Sequence, residues 1–263
     1  MRSACTPGFR KKDRCPNHGH GVLARDIGNN IQEHVAGAGP ATYRERKEPW
    51  MKKFVRCVDC PAPLCYLHVF DHAPAFCPSL RYEKEIEEAS RRVVKGDLAE
   101  VARVSSVVEG VNYCRKTRVE EIIDFAKRLG LERLGIAFCI GLRREAGVLA
   151  DVLEAHGFEV VAVCCKLGGI SKEHFGVKDE EKINPGTYEG ACNPAAQALV
   201  LESEGSQLNI LLGLCVGHDS IFIATTRVLT TVLATKDRVT GHCPLQPLYL
   251  ADSYYGKIKT VAD

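Results

Sequence analysis

Apolar and polar positions change texture along this chain near residue 131. Before it, apolar residues recur at helical spacing among many charges. After it, short continuous apolar runs alternate with amphipathic stretches. From Glu83 to Lys95 the pattern predicts a charged helix. Asp97 stands as the N-cap of a second helix running to about Tyr113. Thr117-Arg118-Val119-Glu120 has the form of a capping box, predicting a third helix through Ile122, Ile123, Phe125, Ala126 and Leu129 that stops at Gly130.

Beyond residue 131, Leu134–Cys139 reads as a strand and Leu142–His156 as a helix ended by Gly157. Glu159–Cys164 is a second strand, residues 167–191 a loop-rich excursion, and Asn193–Glu204 a helix with Pro194 in its first turn. Leu208–Leu214 is a third strand, a short helix follows from Asp219, and Leu229–Ala234 is a fourth strand. Strands apolar on both faces, alternating with helices, predict a parallel sheet covered on both sides. The expected fold class is α/β: an open, mostly parallel sheet of Rossmann or flavodoxin type, with an N-terminal cysteine-rich metal-binding knot and connecting helices.

Four segments follow. Residues 1–50 carry the charge run Arg10-Lys11-Lys12-Asp13-Arg14, the break Gly37-Ala38-Gly39-Pro40 and little apolar periodicity, so they are expected to be poorly ordered. Met51 is the expected natural start. Residues 51–80 form the cysteine-rich segment, 81–130 the connecting helices and 131–263 the α/β domain.

Composition narrows the class. The 263 residues are 45% hydrophobic with a net charge of +2, which suits a globular protein and gives no reason to expect nucleic acid or a membrane surface as partner. No apolar run approaches a membrane span and no leader is read, so a cytoplasmic location is expected. Thirteen cysteines are many, and in a reducing compartment they suit metal binding or thiol chemistry better than disulfides.

Cys57, Cys60, Cys65 and Cys77 follow neither helix nor strand period, and Pro61, Pro63, Pro74 and Pro78 interrupt any helix through them. Such spacing lets a folded loop aim several sulfurs at one point, so these four are the expected metal ligands, for an iron–sulfur cluster or zinc. A disulfide pair or simple buried thiols is the competing reading. His68 and His72 are weaker ligand candidates, and Cys5, Cys15, His18 and His20 weaker still.

A second set of thiols lies at the predicted strand ends: Cys139, Cys164 and Cys165, and Cys215, with Cys192 before a helix. Ligands of open parallel sheets bind beyond the carboxyl ends of the strands. Alternation sends Cys164 and Cys165 to opposite faces, so one of them joins the group. Cys139, Cys165, Cys192 and Cys215 are therefore expected to line one crevice. It could be a second metal or iron–sulfur site, a reactive thiol, or a set of buried structural cysteines. Phe138-Cys139-Ile140-Gly141 and Leu214-Cys215-Val216-Gly217 share a grammar in which glycine two after the thiol allows a tight turn into a helix N-terminus. Cys215, Cys139 and His218 are the candidate catalytic groups. Asp219 is read as a helix cap. Lys166, Lys236 and Arg238 are candidate anion holders, and His242 is a second candidate ligand or proton donor. Neither the dinucleotide fingerprint, the phosphate-binding loop nor a Gly-x-Ser-x-Gly elbow is present, which disfavours nicotinamide, ATP and serine-hydrolase chemistry.

From about Lys53 to Tyr255 the chain resembles the uncharacterised bacterial and archaeal family numbered 1847 among domains of unknown function. The likeness rests on the Cys57/Cys60/Cys65/Cys77 cluster, Thr117-Arg118-Val119-Glu120-Glu121, Ile136 to Leu142, Cys164-Cys165-Lys166, Cys192-Asn193-Pro194, Gly213 to Ser220 and Lys236-Asp237-Arg238-Val239. Cys243 departs from it, standing where the family pattern has Asn, which weakens Cys243 as a ligand. The resemblance implies a metal-binding cytosolic protein and supplies no reaction. Together these readings predict a cytosolic metal-binding protein of iron–sulfur type, with redox or sulfur-handling chemistry at the strand-end crevice and a redox partner protein or a small molecule as counterpart. The alternative is a non-enzymatic module: structural zinc in the knot and an α/β domain that binds a small ligand or a protein.

Overall fold

The computed structural model describes residues 54–60, 64–71 and 73–260. The expectations for residues 1–50, Met51, Cys5, Cys15, His18, His20 and His72 lie outside the described residues. The chain divides into two compact units at Val94/Lys95.

In the first unit, a 3-10 turn over Cys57–Asp59 precedes three helices, α1 (Leu64–Leu67), α2 (Pro78–Arg81) and α3 (Glu83–Val94). Cys77 is the N-cap of α2 and Pro78 its first residue, a position where proline's missing N–H leaves nothing unsatisfied. Every residue of α3 is exposed within this description, as its Glu, Lys and Arg content leads one to expect.

The second unit opens with α4 (Ala99–Asn112) and α5 (Arg118–Arg128). The Thr117 capping box is present in full: Thr117 Oγ1 accepts from Glu120 N–H, and Thr117 N–H donates to the Glu120 carboxylate at 2.8 Å. Asp97 is not the cap of α4; Leu98 holds that position and makes no side-chain capping bond. Strands β1 (Arg133–Phe138), β2 (Glu159–Cys164), β3 (Leu208–Leu214) and β4 (Leu229–Thr235) form one sheet in the order β2-β1-β3-β4, every pair parallel. Between them run α6 (Arg143–Ala155), α7 (Pro194–Ser203) and α8 (His218–Thr225); α9 (Gln246–Tyr249) follows β4. This is the expected open α/β sheet, and its strand order places a topological switch point between β1 and β3.

Two apolar layers hold the sheet. On one face Ile122, Ile123 and Ala126 of α5 and Ala146, Leu149 and Leu153 of α6 pack on Leu134, Ile136, Phe138, Leu208, Ile210 and Leu212. On the other, Ala198 and Leu201 of α7 and Phe222 of α8 pack on Ala137, Cys139, Val163, Cys165, Leu211 and Leu214. The central strands β1 and β3 are covered on both faces, which is why they read as unbroken apolar runs.

The alternation along β3 breaks near its end. Leu208, Ile210 and Leu212 face the first layer, but Leu214 has moved to the second. The register against β4 shifts between Leu211 and Leu214, and Gly213 takes φ +69° there. A Cβ at Gly213 would also collide with the Leu142 side chain just before α6. Glycine is thus required twice, for the left-handed backbone and for the close approach. The expected outcome for Gly213→Ala is a loss of about 3 kcal/mol of stability, left-handed strain and overpacking together. A denaturant titration checks it, and a change below about 1 kcal/mol would show that the bulge relaxes freely.

Candidate functional site

The thiols at the strand ends meet because the backbone there is bonded strand to strand. Cys139 N–H donates to Leu212 O at 3.1 Å, Cys165 N–H to Phe138 O at 2.9 Å, and Asn193 N–H to Cys165 O at 2.8 Å. Beneath them Gln197 of α7, fully buried, donates from Nε2 to Phe138 O (3.2 Å) and to Val163 O (2.7 Å). One amide therefore ties the end of β1 to the end of β2. Its Oε1 is buried with no hydrogen-bond partner.

Cys165 is the centre of the group. Its sulfur accepts from Cys192 Sγ at 3.6 Å and from Ile140 N–H at 3.4 Å, and Cys139 lies close enough to shift its titration. Cys139 also accepts from Gly141 N–H. Of the strand-end pair, Cys165 joins the crevice, while half-buried Cys164 packs against the hydrophobic layers. Cys215 is hydrogen-bonded by Arg238 Nη2 at 3.5 Å, and the same guanidinium interacts with Cys139 and Cys192. The bulge at Gly213 precedes it.

Cations ring the sulfurs. A Cβ on Gly141 would sit 3.0 Å from Lys236 Nζ and 4.0 Å from Cys139 Sγ, so the ammonium lies beside the Cys139 turn. Lys166 donates to Gly190 O at 2.5 Å and stabilises negative charge on Cys192, as does His218 at the start of α8. The proton balance follows. The Cys165 hydrogen bond holds Cys139 down to about 5 against the opposing effect of burial, with help from Gly141 N–H, Lys236 and Arg238. The same hydrogen bond, then Lys166 and His218, lowers Cys192 to about 5. Its hydrogen bonding with Cys139 and Cys192 pushes Cys165 far above the usual thiol range, and its burial adds to this.

Two neighbours are held in the turns beside the site. Gly217, not Asp219, caps α8, and the Asp219 carboxylate accepts Ser220 N–H at 2.8 Å. His242, at φ +70°, accepts Asp237 N–H on Nδ1 at 3.1 Å and locks the turn after β4. Gln197 is a residue that the sequence reading missed; its one signal was an amide in the apolar run Ala195-Ala196-Gln197-Ala198-Leu199.

The 3.6 Å between the Cys165 and Cys192 sulfurs is close to the separation of two thiolates on one tetrahedral metal ion, about 3.8 Å for metal–sulfur bonds of about 2.3 Å, while Cys215 lies with Arg238. Among the described residues no three His, Cys, Asp or Glu side chains converge as metal ligands. In the first unit Cys57 and Cys60 bracket a 3-10 turn closed by Cys60 N–H to Cys57 O at 3.1 Å, and i and i+3 side chains eclipse in such a turn. Cys65 lies in α1 with its sulfur 3.4 Å from Ser79 Oγ, and Cys77 is buried at the start of α2. Four thiols on short turns of one segment suit a thiolate-bound metal by donor chemistry.

A cavity of about 470 Å³ opens elsewhere, between α4, α5 and the starts of β3 and β4, walled by Val101, Val108, Arg118, Phe125, Leu229 and Thr231. It holds no thiol and faces the amino ends of the strands, so the crevice remains the better candidate.

The sequence model of the family described as "Protein of unknown function (DUF1847)" matches residues 77–233. An uncharacterized protein of Methanocaldococcus jannaschii is 41% identical over 203 residues, covering 77% of this chain and 97% of its own length. The family match contains β1, β2, β3 and most of β4 together with Cys139, Cys165, Cys192 and Cys215, and the chain belongs to the DUF1847 family.

Proposed function

We propose that this protein is a cytoplasmic metal-binding thiol protein that carries out thiol–disulfide exchange at the crevice. Its metal centre, an iron–sulfur cluster or alternatively zinc, would be held by Cys57, Cys60, Cys65 and Cys77; a bound cluster would supply one-electron transfer, and zinc would brace the segment. The observation that carries the exchange reading is the 3.6 Å contact of Cys192 with Cys165 among cations and amide donors. Among the described residues no helix is long and apolar enough to cross a membrane.

The chemistry follows from which sulfur holds the proton. The half-buried Cys192 thiolate attacks a disulfide of a small molecule or a redox partner protein, forming a mixed disulfide and releasing one substrate thiolate. Cys165 passes its proton to the Cys139 thiolate and attacks Cys192 Sγ, releasing the second substrate thiolate. The substrate gains two electrons and the protein holds a Cys165–Cys192 disulfide. Closing that bond takes about 1.5 Å of sulfur movement from the observed contact. Cys139 acts as base, and His218 and Lys166 hold Cys192 ionised. Cys215 is moved from candidate nucleophile to the partner of Arg238.

Three outcomes are expected. Diamide oxidation of the full chain, followed by alkylation and peptide mass mapping, yields the Cys165–Cys192 disulfide, and Cys165→Ser leaves Cys192 trapped as a mixed disulfide with added glutathione. Recovery of both thiols reduced under excess oxidant would defeat the exchange reading. With the lowered Cys192 value, its alkylation rate by iodoacetamide stays flat from about pH 8 down to about pH 6, whereas thiols of the unfolded chain slow about tenfold per unit over the same range. An anaerobically prepared sample contains iron and labile sulfide that Cys57→Ala and Cys77→Ala remove. One zinc per chain would select the alternative metal, and a sample with neither metal would remove the metal centre.

A further inference from the structure

The crevice rim carries more positive charge than its thiolates use. Arg238 is exposed, and only one of its nitrogens is committed, to Cys215. Its guanidinium also interacts with Cys139 and Cys192 across the crevice. Lys236 is half-exposed beside the Gly141 turn, and Lys166 lies at the Cys192 side. The two nearby carboxylates are turned to other uses. Asp219 accepts Ser220 N–H, and Asp237 accepts Val239 N–H at 2.9 Å and Thr240 N–H at 3.1 Å within its own turn. Both carboxylates stay charged but are aimed at amides of their own turns, so the Arg238 guanidinium and the Lys236 ammonium are the charges beside the sulfurs.

We propose that the crevice selects anionic disulfides, small molecules bearing carboxylates next to the S–S bond, with Arg238 and Lys236 as the residues that hold the carboxylates. This rests on the exchange reading above and names the substrate class of that site. Arg238 suits the role because its planar fork presents parallel donors to a carboxylate, while Lys236 offers a point charge nearer Cys139. The half-exposed Cys192 sulfur is the one a held substrate reaches, and Cys165, fully buried behind it, is protected from direct attack.

The test uses the full chain in stopped-flow mixing with three disulfides: dithiobis(nitrobenzoate), a dianion; dithiodipyridine, neutral; and cystamine, a dication. The fast phase is assigned to the site by its loss in Cys192→Ser. Each rate is divided by that of free glutathione with the same reagent. The normalised rate is expected to be highest for the dianion and lowest for the dication, with salt compressing the spread. The double variant Lys236→Gln/Arg238→Gln lowers the ratio of dianion to neutral rate by about tenfold while the neutral reagent still reacts in a fast phase. A fast Cys192 phase with equal normalised rates for the three reagents, or a ratio unchanged in the double variant, would overturn the inference and leave the exchange reading standing. Loss of any fast Cys192 phase with the neutral reagent in the unaltered chain would remove both.

Discussion

Parallel pairing of β1 with both β2 and β3 is the constraint on which this molecule depends. Parallel neighbours share their direction, so three strand ends fall on one edge, and whatever follows each strand is delivered there. The chain follows β1 with Cys139, β2 with Cys165 and β3 with Cys215. Gln197 turns that coincidence of topology into geometry. By donating to the carbonyls of Phe138 and Val163 it satisfies acceptors on two strands from one buried amide. The sulfur of Cys165 can then stand against Cys139 and Cys192 without a covalent tie.

The bulge at Gly213 decides how the third strand takes part. Without it, the two-residue period would have kept Leu214 in the same layer as Leu212. With it, Leu214 joins the opposite layer and Cys215 emerges beside Arg238. The crevice is therefore asymmetric. One side is a hydrogen-bonded thiol cluster, and the other is a cysteine held by a guanidinium.

Much of this was legible because both faces of β1 and β3 are covered, leaving long apolar runs that admit few alternatives. The Thr117 capping box was legible for a local reason: its partners lie three residues apart. What escaped is what depends on partners distant in sequence. Leu98 and Gly217 hold cap positions that Asp97 and Asp219 were expected to take, because backbone conformation outweighed side-chain preference. Lys182 lies in a stretch that reads as a solvated excursion, yet it is buried, paired with Glu173 and Asp179 and donating to Thr187 O at 3.0 Å. Its neighbouring charges look like surface charges until the loop folds back over them.

The proton arrangement also sets the direction of the chemistry. Every contact that lowers Cys139 and Cys192 stabilises the reduced protein, since a disulfide carries no negative charge for Lys166, Lys236 or the amides to hold. A stabilised dithiol makes its disulfide a stronger oxidant, and a low thiol pKa makes that sulfur a ready leaving group. Under the proposed exchange, the reduced thiols would be the favoured form, and the Cys165–Cys192 bond, once formed, would reopen readily at Cys192, whose thiolate Lys166 and His218 stabilise. Lys236 and Arg238 act chiefly on Cys139, so the charges proposed to hold a substrate and those that stabilise the leaving sulfur would be largely separate sets on one edge.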